Sequence, residues 1–348
     1  MPELPGVLSA EQVAATVASI AAEQSPGGAL PWSAGQQLDV WDSVEAAMAL
    51  DVGGEHERAA AAYGWLARQQ RPDGSWPAEY RDGVPTSPAV ESNHAGYLAV
   101  GVWHSWLSTG DARLVDELWP HVRAGLDLVT SMALPTGAIS WALRPDGTPD
   151  DTALLTGCAS LFQALRCGVA LAELRGEPHP AWEVTAADLG AALCDRPEAF
   201  ADRSRYSMDW YYPVLTGAVT GEAARDRLAA DWHRFVVPGL GARCVADRPW
   251  VTGAETCELA MALVAAGQRD AAVEQVAAMQ HLRHDDGSYW TGLVYADDAR
   301  WPVERVTWTA AAVVLAVDAL AGSGPAAQLF ADPAALDRPS LPAVAEPG

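Results

Sequence analysis

The sequence predicts an all-α fold, an (α/α)6 toroid of six inner and six outer helices forming a single domain. Three observations predict it. Helices with one charged face alternate with helices that are apolar or small around nearly their whole circumference, the pattern of an outer layer wrapped on a buried inner one. The alternation runs six times between about residues 9 and 321 in one self-similar texture, as an internal repeat does. Several connections from a polar helix to an apolar one also reuse the same turn chemistry, built on Pro, Asp and Gly and followed by Trp.

In chain order, a polar-faced helix is predicted over 9–24, and the turn Gln24-Ser25-Pro26-Gly27-Gly28 leads to the first apolar helix over 39–51. The second pair is 54–70 and 92–107, joined through Gln70-Arg71-Pro72-Asp73-Gly74-Ser75-Trp76. The third is 111–132 and 152–174, joined through Leu134-Pro135-Thr136-Gly137 and Trp141. The remaining pairs are 180–195 with 207–218, 221–235 with 252–266, and 268–281 with 304–321, the last joined through Asp285-Asp286-Gly287-Ser288-Tyr289-Trp290. Gly supplies the positive φ that ends a helix, Asp and Pro begin the turn, and the Trp is expected to plug the junction. The inner-to-outer turns at Asp51–Gly54, Ser108–Asp111 and Ala266–Gln268 are short, so the long loops and the inner-helix starts share one end of the ring, a funnel mouth. Residues 1–321 are assigned to the barrel, and 322–348 to a Pro/Ala-rich C-terminal tail without periodicity, expected to drape or fray.

Composition narrows the chemistry. All 22 basic residues are arginine, so a lysine-dependent phosphate loop and Schiff-base catalysis are both excluded. A net charge of −23 repels nucleic acid and anionic membranes and favours a neutral ligand, an oligosaccharide or polysaccharide being the expected partner. The start of the chain lacks the basic and apolar regions of a signal peptide and no apolar run reaches membrane-spanning length, so a cytoplasmic location is expected. Five cysteines without a CxxC pair read as reduced core thiols. Neither HExxH spacing, nor a dinucleotide-binding glycine fingerprint, nor a GxSxG elbow occurs, so no metal and no cofactor is expected.

The mouth of this frame gathers carboxylates and aromatic rings. Asp39, Asp42, Asp209 and Glu255 are the candidate catalytic residues, because glycoside hydrolysis needs one carboxyl to protonate the leaving oxygen and a second to activate water or attack. Trp76, Asn93, Trp210, Tyr211, Trp250, Glu258, Trp290, Tyr295 and Glu304 are the candidate substrate-binding residues, the rings offering platforms for sugar C–H faces. Structural roles compete. Asp42 and Glu45 have the spacing of a capping box with Asp39 lying before the cap, Asp209 could cap its helix, and Glu304 could complement a helix dipole. Trp65, Trp103, Trp106, Trp119, Trp182 and Trp232 lie in helices and are expected to pack between layers. Trp76, Trp210, Trp250, Trp290 and Trp301 remain as the informative ones.

The segment Gln70-Arg71-Pro72-Asp73-Gly74-Ser75-Trp76 resembles the QW repeat of terpene cyclases and protein prenyltransferase β-subunits, which are α/α toroids. Their chemistry does not carry over: there is no Asp-x-Asp-Asp acid, no zinc-binding set and no cationic diphosphate site. The runs from Trp250 to Leu263, Gln280 to Gly292 and Trp301 to Ala312 are similar to an actinobacterial, prenyltransferase-like family of α-endomannosidases that act on methylmannose polysaccharide. That resemblance spans about residues 3–321 and implies an endo-acting α-mannosidase. With carboxylates expected far apart across a wide funnel, the reaction should invert the anomeric centre. The alternatives are a terpene cyclase or prenyltransferase-like enzyme and a non-catalytic carbohydrate-binding toroid.

Overall fold

A computed structural model describes residues 1–337. Its helices are α1 (Ala10–Glu23), α2 (Val40–Val52), α3 (His56–Gln69), α4 (Ser92–Thr109), α5 (Ala112–Ser131), α6 (Leu155–Arg175) and α7 (Pro180–Asp195). They continue as α8 (Ser207–Leu215), α9 (Gly221–Ala230), α10 (Trp232–Phe235), α11 (Gly253–Ala265), α12 (Arg269–Ala278), α13 (Thr307–Ala321) and α14 (Gln328–Ala331). The inner ring is α2, α4, α6, α8, α11 and α13, each packed on the next, and α13 packs back on α2 to close it. Helices α3, α5, α7, α9 and α12 each cover the inner helix before them, and α1 covers α13, so the first helix completes the outer ring beside the last. Every side chain from Thr309 to Leu320 is buried, as predicted for a helix apolar all round.

The repeated turn has a mechanical explanation. Gly74 takes φ 86°, and a Cβ there would lie 2.2 Å from the carbonyl oxygen of Ala124 in α5, so the turn presses backbone to backbone on the next outer helix. Gln70 Nε2 donates to the carbonyls of Gly74 (3.1 Å) and of His121 in α5 (2.9 Å), while Trp76 Nε1 donates back to Leu66 of α3 (2.8 Å). Gln24 repeats the bridge, donating to Gly28 and to Arg58 of α3. Gly287, at φ 91°, presses on Ala15 of α1, where the Thr16 hydroxyl donates to its carbonyl, so the same device closes the outer ring across the chain ends.

Strands of two to four residues fill the outer-to-inner loops. One three-stranded sheet orders 37–38, 79–81 and 84–87, and a two-stranded one pairs 90–91 with 142–143. A five-stranded antiparallel sheet orders 299–300, 292–294, 250–252, 241–243 and 236–237 and forms a wall before α11 and α13. Several helix boundaries differ from expectation: α6 starts at Leu155 rather than 152, α8 ends at Leu215 rather than 218 and α12 at Ala278 rather than 281. The outer helix over 221–235 breaks at Asp231, and the last inner helix begins at Thr307, because Arg305 is still paired in extended conformation with Trp290. Beyond Gly322, residues 325–337 form short helical turns rather than a loose tail. Leu329 and Phe330 are buried against the closed end of the ring, and Gln163 of α6 donates to the Leu329 carbonyl. Residues 338–348 of the expected tail lie outside the described residues.

Candidate active site

Six inner helices start at the mouth, and the second or third residues of five of them line one cavity. Trp41, Asn93, Thr156, Met208 and Trp308 are second residues of α2, α4, α6, α8 and α13, and all line a cavity of about 360 Å³. Asp42, His94, Gly157 and Asp209 are third residues of α2, α4, α6 and α8 and line it too. Trp32, Trp141, Tyr206 and Glu91 close the wall from the loops, and Arg203 is the one arginine in the lining. Glu255 is the third residue of α11, at the same level but outside this lining, with 5% of its surface exposed.

Asp39, not Asp42, is the N-cap of α2: its Oδ1 accepts the backbone N–H of Asp42 at 2.9 Å. Asp39 Oδ2 accepts Trp32 Nε1 at 3.0 Å, and His94 Nε2 stands 4.0 Å from Oδ1. Asp42 is therefore free of capping duty. It opens on the cavity yet is deeply enclosed, and burial, then the charges of Asp39, Glu45 and Glu258, then a hydrogen bond to Asp39 push its pKa well above the usual carboxylate range. The direction of that shift favours the protonated form of Asp42, with Asp39 as its hydrogen-bond partner.

Glu45 takes no part in a capping box. It is 3% exposed, inside the ring, and burial pushes its pKa up to about 7 against the opposing hydrogen bonds from Trp41, Tyr97 and Trp308. Glu258, one turn deeper than Glu255, accepts the hydroxyls of Tyr211 and Tyr212, and burial, followed by the charge of Glu45, raises its pKa. Asp209 Oδ1 accepts the hydroxyl and amide of Thr156 at 2.6 and 3.3 Å, and burial raises its pKa despite Arg203 and Arg227 nearby. Glu255 hydrogen-bonds the Cys244 thiol, whose pKa rises through burial and then through that carboxylate's charge.

Of the residues singled out from sequence, the cavity unites Asp39, Asp42, Asp209 and Asn93. Trp76 and Trp210 are 1% and 4% exposed and donate their indole N–H groups to Leu66 and Arg227, so both are interlayer packing rather than sugar platforms. Tyr211 and Glu258 are fully enclosed and bond each other below the cavity floor. Trp250 donates to the Trp301 carbonyl and meets that ring edge-on, and the Tyr295 hydroxyl accepts from Arg243; both lie on the five-stranded wall, outside the cavity. Trp290 and Glu304 face a different hollow of about 640 Å³ between α1 and the loop before α13, and Glu304 lies in that loop rather than at a helix start. That hollow is larger, but it lies off the ring axis and contains none of the third-residue carboxylates.

Sequence reasoning places Trp41 at the mouth without choosing it as a platform, and passes over Trp32, Trp141 and Trp308 as aromatic lining. The signal for Trp41 and Trp308 was their place as second residues of inner helices, visible once the helix starts are fixed. Among the described residues no group of three or more His, Cys, Asp or Glu is arranged to hold a metal ion. All five cysteines are free; Cys158, Cys167 and Cys257 are core residues, whereas Cys194 is exposed and Cys244 lies beside Glu255.

No family model matches the chain. The chain is 55% identical over 330 residues to an MMP endo-(1,4)-3-O-methyl-alpha-D-mannosidase of Mycolicibacterium hassiacum, covering 95% of this chain and 92% of that protein. Among solved structures it is similar in fold to a wild-type glycosidase (TM-score 0.71, 16% identity, 90% of this chain and 96% of that one). It is similarly related to a GH63 mannosylglycerate hydrolase from Thermus thermophilus in complex with Tris and D-glycerate (TM-score 0.67, 15% identity, 87% and 99%). At such identities the structural likeness speaks for the toroid alone.

Proposed function

The chain belongs to the family of MMP endo-(1,4)-3-O-methyl-α-D-mannosidases, and from that premise we propose that this glycoside hydrolase cleaves internal α-1,4 links of a 3-O-methylated mannose polymer, with Asp42 as proton donor. The observation that carries the role is the placement of Asp42 at the wall of a cavity lined with tryptophan, beside Asp39 and above Glu45, where burial and the neighbouring carboxylates raise its pKa. A general acid must keep its proton at working pH, and enclosure is how a carboxyl does so. Asp39, fixed by Trp32 Nε1 and by the α2 amide, orients Asp42 and accepts its hydrogen bond.

Glu255 is assigned the water-activating role. Asp209 commits Oδ1 to the hydroxyl and amide of Thr156, which suits it to positioning and binding rather than to activating a water. Asp42 and Glu255 are third residues of α2 and α11, which are not adjacent in the ring because α13 lies between them, and carboxyls held apart with room for a water are what inversion requires. Methyl ethers make the sugar faces more apolar, which suits Trp32, Trp41, Trp141 and Trp308. One arginine among several acids is a poor diphosphate site, so prenyl transfer is disfavoured. The net charge of −23 fits an uncharged polymer as partner rather than nucleic acid or an anionic membrane, and five free thiols fit a cytoplasmic location.

The test is incubation with 3-O-methylated and unmethylated α-1,4-mannan oligosaccharides, with products read by mass and their first-formed anomer by NMR. Internal cleavage with β-product is expected. Asp42→Asn and Glu255→Gln should each lower kcat/KM by about 10² to 10⁴, and Asp209→Asn by far less. Absence of cleavage on every α-mannoside would end the proposal, and an inactive Asp209→Asn beside an active Glu255→Gln would move the base to Asp209.

A further inference from the structure

Glu45 lies below the reacting level, 3% exposed, yet its carboxylate is the meeting point of three inner helices. Its Oε1 accepts Trp41 Nε1 of the same helix at 2.7 Å and the Tyr97 hydroxyl of α4 at 2.9 Å, and its Oε2 accepts Trp308 Nε1 of α13 at 2.8 Å. Helices α4 and α13 are the two neighbours of α2 in the ring, and α13 to α2 is the seam where the two ends of the toroid meet. Trp41 and Trp308 both line the cavity. The Trp41 ring is further held by Tyr97 (centroids 5.0 Å apart) and by the edge of Tyr212 (5.5 Å). For Trp308 the bond to Glu45 is the anchor that orients its indole.

We propose that Glu45 is a positioning residue for substrate recognition: one carboxylate clasps the indoles of Trp41 and Trp308, and so sets the two rings on which the mannose chain rests beside Asp42. The inference rests on the glycosidase reading above. The ionised carboxylate suits the task because its two oxygens accept three donors and offer no competing donor of their own. Glutamine cannot replace it: with the amide oxygen left on Trp41 and Tyr97, an NH2 group meets the indole N–H of Trp308, donor against donor. A flipped amide only moves the mismatch to Trp41 and Tyr97. A residue that merely stapled the fold would cost stability without changing how tightly the sugar is held.

The experiment compares wild type, Glu45→Gln, Trp308→Phe and the double variant in kcat and KM on a methylated mannan oligosaccharide, with melting temperatures alongside. Glu45→Gln is expected to raise KM about tenfold, the equivalent of one mispaired buried donor, with a much smaller fall in kcat. The double variant should be no worse in KM than Trp308→Phe alone by more than about twofold, because Glu45 acts through that ring. An unaltered KM in folded Glu45→Gln, or KM effects that multiply, would overturn the proposal; a collapse of kcat at constant KM would do so by placing Glu45 in proton transfer. Should Glu45→Gln fail to fold, ¹⁵N-indole NMR of the wild type decides. The Nε1–H signals of Trp41 and Trp308, assigned from Trp41→Phe and Trp308→Phe, must exchange slowly and move with pH around one common midpoint. Independent movement or fast exchange refutes the clasp. This readout needs no turnover, so a clasp found in a protein inactive on mannosides would sink the proposed substrate and leave the clasp standing.

Discussion

Two turns at the start of α2 carry three acids with three different tasks: Asp39 caps, Asp42 faces the cavity, and Glu45 holds the rings. Their pKa shifts give a testable sign. Glu45 rises from an ordinary value of 4.5 to about 7 on folding, so between those values the native state binds more protons than the unfolded one, and stability falls as pH rises through the window. Asp42 and Glu258 are raised as well and act in the same direction. The stability advantage of wild type over Glu45→Gln should therefore shrink from pH 5 to pH 8, on the order of 2 kcal/mol, in urea melts at each pH. A constant gap would show that Glu45 keeps its charge throughout. By the same sign, the alkaline limb of kcat/KM should lie well above the ordinary carboxylate range, because the limb reports Asp42 losing its proton. At this scale the sequence was half legible. The acids Asp39, Asp42 and Asp209 could be found because the inner helices are otherwise apolar, so carboxylates at their starts stand out, although capping competes as an explanation and Asp39 does cap α2. The tryptophans could not, because a one- to three-residue error in a helix start decides whether a ring lies in the cavity, as Trp308 does, or between layers, as Trp76 and Trp210 do.

At the scale of elements the legible feature was the turn that follows an outer helix. Gln, Gly and Trp recur there because each performs one contact: Gln reaches the next outer helix, Gly lets two backbones touch, and Trp returns to its own helix. Removing the first of these, in Gln70→Ala, leaves the Gly74 and His121 carbonyls without that donor and should cost about 1–3 kcal/mol in chemical denaturation. Gly287→Ala should cost more, because both φ 91° and the 2.6 Å approach of its Cβ to the Ala15 backbone oppose it, and α1 would have to move away. Equal or greater stability of that variant would show that the contact with α1 is loose. The short strands, by contrast, were not readable. Two to four residues give no period to detect, and their pairing partners, such as Trp250–Thr252 with Gly292–Val294, come from loops some forty residues apart.

At the scale of the whole molecule, a toroid made from one chain must join its two ends, and three separate contacts do so here. Gly287 rests on α1, the Thr307 amide and hydroxyl donate to the carbonyls of Trp32 and Pro31, and Glu45 bonds Trp308 across the α13–α2 seam. The last two are at the mouth, which couples closure of the ring to the shape of the cavity. The opposite end is sealed differently, by Leu329 and Phe330 of the C-terminal turns lying on the inner helices. The Pro/Ala-rich composition after Gly322 concealed this, since a segment of single turns has no period to reveal which side chains it buries. The two ends should therefore respond differently to substitution. Leu329→Ala and Phe330→Ala each remove a buried apolar side chain and should cost roughly 2–5 kcal/mol, seen as a lower melting temperature. KM for the oligosaccharide should stay close to wild type at temperatures where the variants remain folded, because the closed end lies a full helix length from the cavity. An increase in KM comparable to that of Trp308→Phe would instead mean that packing at the floor is transmitted along α13 to the rings at its start.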